Sequence, residues 1–180
     1  MASEVFISFI HEEAQIADAV KTFLDVVFEN KVKSFLASDR LGIYAGDDWM
    51  ATILSELKDA KILVSLLSPT SVARPWVNFE AGAAWVKGTK VMPACFGGLD
   101  KGALPKPYST LQAVNLGEME DDYYLVRSIA HYLGIKSPQK PVEEGVQESL
   151  KAMGLSLEDD EVNMIRMPYE TLGVWVRAFS

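Results

Sequence analysis

Trp76 and Glu80 stand four residues apart in the stretch Ser68 to Lys87, SPTSVARPWVNFEAGAAWVK. On a helix that spacing stacks them on one face, one turn above the other. A carboxylate beside a large flat ring is a useful pair for holding a sugar or a base. An isolated W-x-x-x-E is ordinary, because most glutamates on helices are solvated and the tryptophan can equally anchor a core. The weight of the pair depends on where in the fold its helix begins.

The elements that must position it follow from periodicity. Val5 to Ile10 (VFISFI) is a nearly continuous apolar run, as expected of a strand buried on both faces. From His11 the period changes: Ile16, Val20, Phe23, Leu24, Val27 and Phe28 recur at helical spacing, predicting an amphipathic helix to about Glu29. Val32 to Ala37 reads as a short second strand, and Ser38 to Asp48 (SDRLGIYAGDD) as a loop with two glycines and three aspartates. Asp47 or Asp48 is placed to cap the next helix, with Trp49, Ile53 and Leu57 on its inner side. Ile62 to Leu67 (ILVSLL) is the third strand; Pro75 suits the first turn of the helix carrying Trp76 and Glu80, and Gly88 its end. Lys90 to Phe96 is a fourth strand, demoted or made irregular by Pro93, and after a turn-rich segment Gln112 to Leu116 is a fifth. Acidic residues from Glu118 to Asp122 suit the positive end of a last core helix, whose inner face is expected at Tyr124, Leu125, Ser128, Ile129 and Tyr132, with Gly134 as its stop.

Residues 1–134 therefore read as one domain, and 135–180 as an extension: a linker (SPQKP), a short amphipathic helix through Val142, Val146, Leu150 and Met153, and an apolar end that packs back or meets another chain. Alternating strands and helices predict an open five-stranded parallel sheet of the α/β class with helices on both faces. With strand order 2-1-3-4-5, ligands bind beyond the carboxyl ends of strands one and three, where the order reverses. Phe9 to Glu13 and Ser68 to Glu80 meet there, which puts Glu80 at the mouth of the crevice.

Composition narrows the chemistry. The net charge of −8 argues against nucleic acid as a partner. No apolar segment reaches the roughly 18 residues of a membrane helix, and a single cysteine, Cys95, suits a reducing compartment. A cytoplasmic protein with no membrane partner is expected. There is no G-x-G-x-x-G after the first strand and no Walker lysine. His11 and His131 are the only histidines and neither has a nucleophile-elbow serine to serve. The carboxylates at Asp121 and Asp122 have no His or Cys beside them, so no metal is expected.

Over about residues 4 to 134 the chain resembles the Toll/interleukin-1 receptor (TIR) domain family. The matching pieces are VFISF at Val5 to Phe9, AGDDW at Ala45 to Trp49, LVSLLSP at Leu63 to Pro69 and WVNFEAGAAW at Trp76 to Trp85. FEAGAAW looks most like the stand-alone prokaryotic members, many of which cleave NAD and several of which act in anti-phage defence. The resemblance implies a flavodoxin-like sheet and a catalytic role for Glu80. It also implies a substrate cleft lined by Phe9, Ile10, Gly46 and Asp48, with Trp49, Ser68 and Trp76 as further lining. NAD would be substrate rather than cofactor, and self-association through TIR surfaces and a downstream effector protein are the implied partners.

The reaction so implied is cleavage of the nicotinamide–ribose bond to nicotinamide and ADP-ribose or a cyclic isomer, through an oxocarbenium-like state. Glu80 is expected ionised, at a reference pKa of about 4.3. At ~4 Å and an effective dielectric of ~20 it would stabilise the cation by about 4 kcal/mol, roughly a thousandfold in rate. As a surface residue its replacement by glutamine should change stability by only about 0.5 kcal/mol. Two other readings compete. One is a non-catalytic TIR–TIR interaction module, in which Glu80 is incidental. The other is a nucleoside deoxyribosyltransferase-like enzyme, which the pairing of AGDDW with WVNFE disfavours.

Overall fold

The computed structural model describes residues 4–36, 49–138 and 145–152, with only the backbone of residues 49, 50 and 52. Five parallel strands form one sheet in the order β2-β1-β3-β4-β5, as expected: β1 Val5–Ser8, β2 Ser34–Leu36, β3 Ile62–Leu67, β4 Lys90–Cys95 and β5 Val114–Asn115. The helices are α1 Ala14–Val27, α2 Trp49–Asp59, α3 Pro75–Lys87, α4 Met119–Leu133 and α5 Val146–Ala152. Helices α1 and α5 pack on each other, as do α2 and α3. The connection from β1 to β2 runs one way along the sheet and those from β2 to β3 and β3 to β4 the other, so right-handed crossovers put the two pairs on opposite faces.

The central strands are apolar on both sides because both faces are covered: β1 and β3 are buried at every position. Each carries one serine, Ser8 and Ser65, and these are direct cross-strand neighbours. Pro93 does not demote β4. The amides of Lys90 and Phe96 donate toward β3, to Lys61 and Leu67, so by alternation position 93 faces the other way. There β5 pairs only with Ala94 and Cys95, leaving no bond for a proline to break.

Several boundaries are tighter than the apolar patterns predict. The helix expected from His11 begins as a single 3-10 turn, His11–Glu13, before α1. β5 keeps only two residues; at the sheet's free edge Asp121 Oδ2 takes the Asn115 N–H at 2.6 Å, and the Asn115 side chain bonds Asp100, Glu118 and the Lys101 N–H. The inner face of α4 is Asp122, Leu125, Val126, Ile129 and Ala130, one stripe at helical spacing. Tyr124 and Tyr132, expected inside, are both 46% exposed. Gly88 and Gly134 end α3 and α4 in the left-handed conformation.

Within 135–180, α5 stands where an amphipathic helix is expected; Val142 and Met153 lie outside the described residues. Val146 and Leu150 are fully buried in the same core as β1 and α1. Asp122 fixes this docking, accepting the Val146 N–H on Oδ2 and the Gly117 N–H on Oδ1, each at 3.0 Å.

Candidate functional site

Glu80 lies on the second turn of α3, which enters through Pro75 at its first position. Its side chain turns inward and has no solvent exposure. Ser8, the last residue of β1, donates its hydroxyl to Glu80 Oε2 at 2.5 Å, while Oε1 has no hydrogen-bond partner among the described residues. A carboxylate from α3 thus reaches across to the carboxyl end of β1, at the reversal in strand order.

This differs from an ionised residue at an open mouth. Burial raises the Glu80 pKa to about 7, with hydrogen bonding from Ser8 and Trp76 opposing the rise. The group is half-ionised near neutrality, and the surface estimate of its stability cost does not hold for a side chain this deep. Trp76 is half-buried, packs against the main core and stacks on Phe79 with centroids 5.4 Å apart. Anchor and neighbour of the carboxylate are therefore one residue.

Phe9 and Ile10, which follow β1, are 5% and 8% exposed; Phe9 belongs to the main core, and Ile10 to a smaller cluster with Leu67, Val77 and Tyr108. Ser68 sits at the end of β3 but its hydroxyl bonds Glu13, not Glu80. Trp49 opens α2, and Gly46 and Asp48, with the loop 38–48, lie outside the described residues.

Three residues enter the site that sequence reasoning did not single out. Ser8 looked like a polar interruption in an apolar strand; its place at the strand's carboxyl end, next to Ser65 on β3, was the available signal. Glu13 closes the segment expected to meet the crevice but carried no role of its own there; it is 2% exposed. Burial pushes its pKa up, opposed by Ser68 and Ser71, and its Oε2 has no partner. Tyr108, from the turn-rich β4–β5 connection, is 2% exposed and donates to the Val77 carbonyl of α3 at 3.4 Å. Burial raises its hydroxyl pKa and the neighbouring Glu80 charge adds to that. Cys95, by contrast, is pushed by burial to about 11 and stays a neutral thiol.

Chemically, the arrangement offers one carboxylate oxygen held by a hydroxyl and one with an unused acceptor, in a site dry enough to hold the group near its midpoint at neutral pH. Such a group can accept from a hydroxyl, stabilise a nearby cation or move a proton.

A family model described as "TIR domain" matches residues 5–128. No curated protein matches the chain. Among solved structures, a metazoan TIR-STING receptor from C. gigas in complex with 2',3'-cGAMP is similar, with a TM-score of 0.51 at 21% identity. That match covers 72% of this chain and 38% of the other. At that identity it speaks for the fold alone.

Proposed function

The chain belongs to the TIR domain family, and on that premise we propose that it is an NAD-cleaving member in which Glu80 is the catalytic residue. The observation that carries the reading is the fully buried Glu80 carboxylate, held on Oε2 by Ser8 and unpartnered on Oε1, at the strand-order reversal. An unsatisfied carboxylate oxygen costs about 1–3 kcal/mol. Ribose hydroxyls are donors that fit it.

Nicotinamide leaves as a neutral molecule, so no general acid is required. The work is stabilisation of an oxocarbenium-like ribose, worth about 4 kcal/mol at ~4 Å and an effective dielectric of ~20. Only the ionised form supplies it. Because Glu80 has no exposure, substrate reaches Oε1 only when a wall of the site shifts. Admitting a pyridinium cation then favours the carboxylate twice, by hydration and by charge. Water attack on the ribose carbon gives ADP-ribose; attack by an internal nucleophile gives a cyclic isomer. An anti-phage role with a downstream effector is an extension of the same proposal.

The test is mass spectrometry of products after incubation with NAD, wild type beside Glu80→Gln. Nicotinamide with ADP-ribose or its cyclic isomer is expected from the wild type, and on the order of a thousandfold less from the variant. Equal release by both would remove the assignment.

A separate observation favours self-association alongside catalysis. On α3, Phe79, Trp85 and Val86 are exposed by 48%, 54% and 92%, an apolar surface of the kind that marks an interface. Light scattering of Phe79→Asp and Val86→Asp should report a smaller assembly than the wild type. An unchanged mass in both variants would exclude that face.

A further inference from the structure

We propose that Glu13 is a positioning residue for Glu80, holding the connection that delivers α3 to the crevice. The ties run in both directions across the first and third strands. From α3, Glu80 reaches back to Ser8 at the end of β1. From the 3-10 turn after β1, Glu13 reaches forward to Ser68, the residue that follows β3. Residue 68 is the hub of the turn that leads into α3. Its hydroxyl oxygen accepts from the N–H groups of Thr70 and Ser71 at 3.0 and 3.1 Å. The Ser71 hydroxyl accepts the Ser68 N–H at 2.8 Å and donates to the Leu66 carbonyl.

With both acceptor positions filled by backbone amides, the Ser68 hydroxyl has one proton left to give, and Glu13 Oε1 receives it. The adjacent Glu12 pairs with Arg74, immediately before α3, at 3.4 Å. Two consecutive glutamates therefore grip both ends of the segment 68–74. The Glu12 pair is half-exposed and contributes orientation more than energy. The Glu13 bond is buried, so it sets where the turn sits and how α3 presents its carboxylate.

This rests on the proposed role of Glu80, and the experiment separates the two. The variants are Glu13→Ala, Glu13→Gln, Ser68→Ala and the Glu13→Ala/Ser68→Ala double. Two measurements are made on each: the carbon-13 NMR titration of the Glu80 carboxyl without substrate, and kcat and KM for nicotinamide release. Glu13→Ala and Ser68→Ala should each move the Glu80 titration and lower kcat by on the order of 10- to 100-fold, as displacement of a reacting group does, with KM within about twofold. The double should lose little more than Ser68→Ala alone, because Ser68→Ala already breaks the bond to Glu13 together with those from the Thr70 and Ser71 amides. Glu13→Gln keeps an acceptor for Ser68 and should stay within about threefold of wild type.

An unmoved Glu80 titration in Ser68→Ala and Glu13→Ala would overturn the proposal. So would losses that multiply, or a raised KM at unchanged kcat, which would make Glu13 part of the binding wall. If Glu13→Ala does not fold, Ser68→Ala and Glu13→Gln decide by the same criteria. If the wild type releases no nicotinamide, the enzyme reading falls while the titrations still judge the positioning.

Discussion

Glu80 on α3 and Asp122 on α4 are both carboxylates almost without exposure, 0% and 2%, and the fold satisfies them differently. Burial raises both, to about 7 and about 6. Asp122 has a backbone amide on each oxygen, one from Gly117 and one from Val146, and those bonds join the turn before α4 to the start of α5. Glu80 takes the Ser8 hydroxyl on Oε2 and hydrogen bonding from Trp76, while among the described residues Oε1 has no partner within hydrogen-bond distance. Asp122 is saturated by the chain that it ties together. Glu80 keeps an unused acceptor in a dry site, a cost to stability that a bound donor would offset.

The widest gap between the two should open on substitution. Glu80→Gln is expected to lose about a thousandfold in nicotinamide release while gaining stability at alkaline pH. The folded pKa is raised above the ordinary value of 4.5, so the native state binds more protons between pH 4.5 and about 7. Stability therefore falls as pH rises through that window. At 1.36 kcal/mol per unit the loss is at most about 3 kcal/mol. Glutamine cannot ionise, so urea unfolding should find the variant more stable than wild type by about 1–3 kcal/mol at pH 8, with the advantage gone near pH 5. A less stable variant at pH 8 would mean that the carboxylate is not strained by its surroundings.

Asp122→Ala should do the reverse. It strands two amide N–H groups beside a new void, costing about 2–4 kcal/mol. Turnover per folded molecule should be unchanged, measured at a temperature where both proteins are fully folded. Loss of turnover without loss of stability would erase the distinction between the carboxylates. A milder probe of the same joint is Gly145→Ala. An added Cβ would lie 2.6 Å from Asp122 Oδ2, too close for a side chain already bound at both oxygens. A destabilisation of about 1–3 kcal/mol is expected, again with the crevice chemistry intact.

How far each carboxylate was legible in the sequence follows from the same contrast. The limits of β3 agree with its apolar run, and Gly88 and Gly134 end their helices, because burial on both faces and left-handed caps leave local marks. Glu80 stood out by its spacing from Trp76 and by the topology, though its depth did not. Ser8, Glu13 and Asp122 were illegible as partners: each is bonded to a residue at least 24 positions away in sequence or to a backbone group, and no local period records that. The outward Tyr124 and Tyr132 show the converse error, in which large apolar rings drew the expected face away from the stripe that packs.

The finest test of the contrast lies in Ser8→Ala, which leaves Glu80 and its hydrogen bonding from Trp76 in place and removes the hydroxyl that holds Oε2. The Ser8 O–H stabilises the ionised form, so its loss should push the Glu80 pKa above about 7. A hydrogen bond to a charged group is worth about 1.5–3 kcal/mol and a neutral one about 1 kcal/mol. The stability deficit of the variant should accordingly be small near pH 5 and larger at pH 8, where wild-type Glu80 is mostly ionised. Turnover at pH 7 should fall several-fold, since less carboxylate is available to the cationic ribose, and most of it should return at pH 9. In the pH profile of kcat/KM, which reports the free enzyme, the acid limb moves to higher pH for Ser8→Ala and stays put for Asp122→Ala. An acid limb unmoved in Ser8→Ala would mean that the group titrating in catalysis is not the one that β1 holds.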